Sequence, residues 1–197
     1  QGIMFKNPAT YGLDKGGNNH HSLVKFKDKY YLLYHARAVE NRMGLSLNYR
    51  SPQIDYANVS SDGKVSVTGT MKGVSQIESL NPYNKVQAET MSNQAGITIS
   101  GLGDTVVSQI DSGDWIKVSG ADFSKGASKL TVRASSKNGS VIKVCTGSAT
   151  GKAISYVQIP SGGSMTEISV PVNSISGSND IYFVFNGQAE FDWWSFS

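Results

Sequence analysis

One cysteine stands among 197 residues, so the chain holds no intramolecular disulfide. Cys145 sits in Val141-Ile142-Lys143-Val144-Cys145, an apolar setting that predicts a buried, inert thiol rather than a nucleophile. Charge is sparse as well, at 17% of residues. Residues 1–80 carry 10 Lys and Arg against 6 Asp and Glu, and residues 81–197 carry 8 against 9. Neither stretch has a basic stripe, which argues against nucleic acid and against an anionic membrane as partners. No apolar run is long enough to span a bilayer and no signal peptide is visible, a pattern shared by a mature secreted protein and an internal fragment. Amphipathic helical periodicity is missing throughout. Hydrophobic residues make up 39%, below the usual globular share, yet 21 glycines and the low charge point to a loop-rich β protein rather than to disorder.

What the chain does have is concentrated at its end, in Phe191-Asp192-Trp193-Trp194-Ser195-Phe196. The aromatic density predicts a strand, with Phe191, Trp193 and Ser195 on one face and Asp192, Trp194 and Phe196 on the other. Asp192 is then a carboxylate among rings, and no Lys or Arg lies within five residues of it. Buried, it needs a partner or a metal; at a sheet end, it is simply solvated. Gln87 and Glu89, in the strand-like run after Pro82, are the nearest companions, and an oxygen-only set of this kind suits calcium.

The runs Asn81-Pro82-Tyr83-Asn84, Val86-Gln87-Ala88-Glu89-Thr90-Met91, Gly113-Asp114-Trp115-Ile116 and Phe191-Asp192-Trp193-Trp194 resemble carbohydrate-binding module family 6 over about residues 81–197. The resemblance implies a jelly-roll sandwich with a structural calcium held by Gln87, Glu89 and Asp192. It also implies a sugar-binding cleft at one end of the sandwich. Where the family carries two aromatic rings and an Asn, however, this sequence has Gln109, Ser164 or Met165, and Glu190. Sugar binding wants ring faces to stack on, so this cleft is expected to bind xylan-type chains weakly or not at all, and to serve for packing instead. Trp115 reads as a core residue, and Tyr156 and Trp194 as exposed rings for a second site on the concave face.

Upstream, short strands are expected over Ser22–Lys27, Tyr30–Ala36, Ser46–Arg50 and Ile54–Val59, with Asp62-Gly63 as a hairpin turn before Val65 and Val67. Four short antiparallel strands are the content of one propeller blade. The Tyr30–Ala36 strand is apolar on both faces and must be covered on both. No second copy of the pattern follows. Asn18-Asn19-His20-His21-Ser22-Leu23-Val24, the Tyr30–Ala36 strand and Tyr49-Arg50-Ser51 resemble the last blade of the five-bladed propeller enzymes of glycoside hydrolase family 43. Gly73 to Tyr83 resembles the join to an appended family 6 module, as in arabinoxylan arabinofuranohydrolases. Residues 1–78 are thus expected to be the C-terminal portion of an incomplete propeller, and residues 79–197 a sandwich. From residue 85 on, strands recur every eight to twelve residues, ending with Thr166–Val172, Asp180–Asn186 and Phe191–Phe196, and Lys137-Asn138-Gly139-Ser140 reads as a hairpin.

Glycoside hydrolysis needs two carboxylates flanking the scissile bond. Asp14, Asp28, Glu40, Asp55, Asp62 and Glu78 all read as turn, loop or strand-edge residues, and the family's catalytic carboxylates belong to earlier blades, so no catalytic acid or base is assigned. The resemblance implies that His20 lies at the propeller axis beside a second calcium or its waters, against the plain reading of a surface histidine. It implies that Arg50 reaches substrate, where a guanidinium fork suits hydroxyls, against the reading of a surface strand residue. The expectation is an all-β part of a secreted glycoside hydrolase acting on arabinoxylan or xylan side chains, inverting by resemblance. Its partners are then the polysaccharide and the missing N-terminal blades. The alternative is a non-catalytic carbohydrate-binding or domain-packing module.

Overall fold

A computed structural model describes every residue except 1–2, 13–19, 38–40, 42, 43, 45, 47–49, 71 and 102. Asp14, Asn18, Asn19, Glu40 and Tyr49, and most of the strand expected over Ser46–Arg50, lie outside the described residues. The chain forms two units, Gln1–Ser75 and Gln76–Ser197.

In the first unit, β1 (His21–Phe26), β2 (Lys29–Ala36), β3 (Ser51–Val59) and β4 (Val65–Val67) make an antiparallel sheet in chain order. Phe26 pairs with Lys29, leaving Lys27 and Asp28 as the two-residue loop, with Lys27 at φ 53° as such turns require. One face is packed: Leu32, Tyr34 and Ala36 bury against Phe5 from the preceding segment, whose ring lies 4.7 Å from that of Tyr34. On the other face Tyr31 packs against Tyr56 with the rings tilted by 40°, while Val24 and Leu33 stay 41% and 44% exposed. Asp55 departs from its expected edge position. It is buried, and it accepts hydrogen bonds from Tyr34 Oη at 2.6 Å and from the Thr70 amide at 2.9 Å. Those donors satisfy the charge and tie the segment after β4 back to β3.

The second unit is a sandwich of two antiparallel sheets. Chain order runs β5 (Val86–Gln87), β6 (Asn93–Ala95), β7 (Thr98–Ser100), β8 (Val106–Ile110), β9 (Trp115–Phe123) and β10 (Lys129–Ser135). It continues with β11 (Ser140–Thr146), β12 (Ala153–Ile159), β13 (Thr166–Pro171), β14 (Gly177–Asn186) and β15 (Ala189–Phe196). One sheet has the order β13-β10-β15-β8-β7, with β5 also on β15; the other is β12-β11-β14-β9-β6. Lys137–Ser140 is therefore no hairpin. β10 and β11 lie in different sheets, so the turn carries the chain across the sandwich. β6 and β7, three residues each, lack the apolar alternation that announces longer strands.

The terminal strand is central. β10 flanks it on one side, and β8 and β5 share the other. Its expected alternation fails at one residue: Arg133 opposes Trp193 but Ala134 opposes Phe191, so Asp192 is the extra residue of a β-bulge. Phe191 consequently joins Trp194 and Phe196 in the core, against Phe183 at 5.2 and 5.4 Å and Phe123 at 4.9 Å. Trp194, expected to be exposed, is fully buried.

Candidate functional site

The Asp192 bulge is the first place where chemistry collects. The Ala88 amide donates to the Asp192 carbonyl at 2.7 Å, which holds the residues around Glu89 against this strand. Asp192 is 1% exposed, and its Oδ1 has no partner among the described residues; the same is true of both carboxylate oxygens of Glu89. Three buried anionic oxygens without donors are costly unless a cation is added. A hard, oxygen-seeking ion with a flexible coordination sphere fits that set. Gln87 is exposed, and its carbonyl accepts the Thr90 amide at 3.0 Å, leaving a lone pair free. No group of three or more His, Cys, Asp or Glu able to hold a metal occurs among the described residues, so a full shell would draw on amide, main-chain or water oxygens.

One neighbour escaped sequence reasoning. Arg133, on the adjacent strand β10, places Nη1 in direct contact with Asp192 Oδ2. Fifty-nine positions separate the two, and only the sheet register brings them together.

The second place is an open cleft of about 710 Å³ at one end of the sandwich. Gln109 and Glu190 both line it, with Gly163 from the loop that also contains Ser164 and Met165. No aromatic side chain is among the described residues lining it. Two bulge residues, Ser108 and Gln109, oppose Glu190 here, and Gln109 takes φ 50°, an uncommon conformation for a residue with a Cβ. The polar groups are tied to each other: Ser135 Oγ donates to Glu190 Oε2 at 3.1 Å, and Gln188 Nε2 to Asp111 Oδ1 at 3.2 Å.

The third is the outer face of the sheet β12-β11-β14-β9-β6. Register places Tyr156, Lys143, Val184 and Trp115 in one row across four strands, about 14 Å at the strand spacing of about 4.8 Å. Trp115 is not in the core. Its ring lies 5.5 Å from that of Tyr182 and remains half-buried, while Tyr156 is 58% exposed. The alternation Trp115-Ile116-Lys117-Val118, with Ile116 and Val118 inside, carried that signal. Lys117 Nζ lies over the Tyr182 ring, 5.8 Å from its centroid, and meets Asp180 at 2.7 Å. Their hydrogen bond lowers the Asp180 pKa and raises that of Lys117, with burial opposing both.

In the first unit, His20 is exposed and its ring meets His35 edge-on at 5.7 Å, and Arg50 is exposed before β3.

Residues 87–197 match the family described as carbohydrate binding module (family 6). Over all of its length the chain is 37% identical to an arabinoxylan arabinofuranohydrolase of Paenibacillus polymyxa, covering 34% of that protein. A crystal structure of a glycoside hydrolase family 43 arabinoxylan arabinofuranohydrolase from Bacillus subtilis, in complex with cellotetraose, superimposes with a TM-score of 0.87 at 35% identity, over 98% of this chain and 43% of that one. A Clostridium stercorarium family 6 module in complex with cellobiose superimposes at 0.58 and 26% identity, over 61% of this chain and 97% of the module. The chain thus spans between about a third and somewhat over two-fifths of the arabinofuranohydrolases it resembles.

Proposed function

The chain belongs to carbohydrate binding module family 6 over residues 87–197, and on that premise we propose that it is the polysaccharide-holding portion of a larger family 43 glycoside hydrolase acting on arabinoxylan. The observation that carries this reading is the likeness over both units at once: 98% of the chain follows the Bacillus subtilis enzyme with a TM-score of 0.87. Cleavage in the whole enzyme is the work of carboxylates outside this chain. Asp55, the buried carboxylate of the first unit, is held by Tyr34 and Thr70. The first sheet's open face, with Val24, Phe26, Leu33 and Tyr56 exposed on it, is a surface for the next blade to cover. Arg50 and His20, both exposed, are the residues this part would offer to the substrate and to an axial ion.

In the second unit the polysaccharide lies on the ring-bearing sheet face rather than in the end cleft. Trp115, Tyr182 and Tyr156 supply ring faces for sugar stacking, and Lys143 and Gln158 supply donors beside them. In the end cleft Ser135 is already hydrogen-bonded to Glu190 and Gln188 to Asp111, and none of the described lining residues carries a ring. Calcium at Glu89 and Asp192, with Gln87, is structural: it neutralises two carboxylates brought together where the Ala88 amide joins the segment after β5 to β15. Among the described residues no helix is long and apolar enough to cross a membrane, and secretion is the localisation that a polysaccharide substrate supports.

Affinity electrophoresis in arabinoxylan, run beside an assay for released sugar, tests the reading. Retardation without hydrolysis is expected. Release of arabinose by this chain would place a catalytic pair within it and overturn the assignment, and unretarded migration would remove the binding role.

A further inference from the structure

We infer that Arg133 is a built-in counter-cation of the Glu89–Asp192 site, one that allows the sandwich to hold together without metal and weakens its grip on a divalent ion; this rests on the calcium reading above. Among the described residues, the three carboxylate oxygens left without donors are Oδ1 of Asp192 and both oxygens of Glu89. The fourth, Asp192 Oδ2, is taken by Arg133 Nη1. With Oδ2 occupied, Asp192 offers one oxygen to a metal rather than two. Two carboxylates and one guanidinium also leave the site with a single net negative charge instead of two.

Geometry makes the arrangement permanent rather than incidental. Arg133 is held in the middle of β10, opposite Trp193 on one side and Glu167 of β13 on the other. Its side chain is 35% exposed whereas that of Asp192 is 2% exposed. The guanidinium therefore meets a buried carboxylate from a side chain only partly open to solvent, and its charge is only partly screened from an ion bound at Oδ1. A fixed positive charge there repels calcium in the loaded state and replaces it in the empty one. The bulge at Asp192 is what turns this carboxylate toward both partners.

The test uses the full chain as wild type, Arg133→Gln and Arg133→Lys, melted with a chelator and across a calcium titration. Arg133→Gln removes the charge and shortens the side chain, whereas Arg133→Lys keeps the charge. Arg133→Gln is expected to melt several degrees below wild type without metal, to recover wild-type stability at saturating calcium, and to bind calcium about tenfold more tightly, as expected for one screened unit charge near a divalent ion. Arg133→Lys is expected to retain wild-type calcium affinity. An Arg133→Gln chain that binds calcium no more tightly, or that stays unfolded in saturating calcium, overturns the inference. If wild type shows no calcium response at all, the calcium reading fails. In that case, a lower melting point of Arg133→Gln that is indifferent to calcium would leave Arg133 as the sole cation of the site.

Discussion

Asp192 divides its carboxylate between two environments: Oδ2 meets the guanidinium of Arg133, and Oδ1 is buried without a donor among the described residues. The Ala88 amide on the Asp192 carbonyl brings a second unsatisfied acid, Glu89, to the same strand. Half of this arrangement is a finished ion pair. The other half is three buried carboxylate oxygens without a donor among the described residues.

Calcium should therefore raise the melting temperature of the chain, and the rise should grow with concentration. At a hundredfold excess over its dissociation constant it adds about 2.7 kcal/mol, several degrees for a domain of this size. Glu89→Gln should abolish the increment. Differential scanning calorimetry in chelator and in calcium reads both, and identical curves for wild type would dismiss the metal.

Sugar binding should follow the rings. Trp115→Ala and Tyr182→Ala should each weaken the affinity for a xylo-oligosaccharide by roughly five- to tenfold, corresponding to about 1 kcal/mol per stacking ring. Gln109→Ala and Glu190→Ala should leave it unchanged. Calorimetric titration giving the reverse order would return the ligand to the end cleft.

Gly96 sits at that cleft with φ 83°, and a Cβ there would fall 1.7 Å from Asp114 Oδ1. Asp114 cannot yield freely, because its Oδ2 accepts the Asp111 amide at 2.7 Å. Gly96→Ala should cost about 1–3 kcal/mol, combining the left-handed backbone penalty with a displaced hydrogen bond. Urea unfolding measures it; a loss under about 0.5 kcal/mol would mean the loop absorbs the methyl.

The Lys117–Asp180 pair sets a pH dependence on the acid side. Hydrogen bonding from Lys117 depresses the Asp180 pKa below its ordinary value near 4. The stability it contributes is therefore present above the unfolded value and is lost as pH falls through the folded one. Asp180→Asn keeps an acceptor for the Gly120 amide, which Asp180 Oδ1 receives at 3.0 Å. The melting-temperature gap between wild type and Asp180→Asn should stay constant from neutral pH to about 5, shrink below 4, and then close. A gap independent of pH would assign it to packing.

Much was legible in the residues themselves. Strand-rich spacing, Gly-marked turns and the aromatic closing strand determined an all-β chain with a blade-like sheet followed by a sandwich, because alternation and turn chemistry are local. The acids Glu89 and Asp192 were also visible as a pair, and the rings missing at Gln109 and at Ser164 or Met165 agreed with a cleft that has no aromatic lining among the described residues. What depended on register was not legible. One extra residue in β15 moved Phe191 into the core with Trp194, against the period-two reading. Pairing between β9 and β14 set Trp115 beside Tyr182 on an outer face. Hydrogen bonding across strands buried Asp55 and delivered Arg133 to Asp192. A β-sheet joins residues far apart in the chain, and where one bulge shifts the pairing, only the folded structure decides which side chains meet.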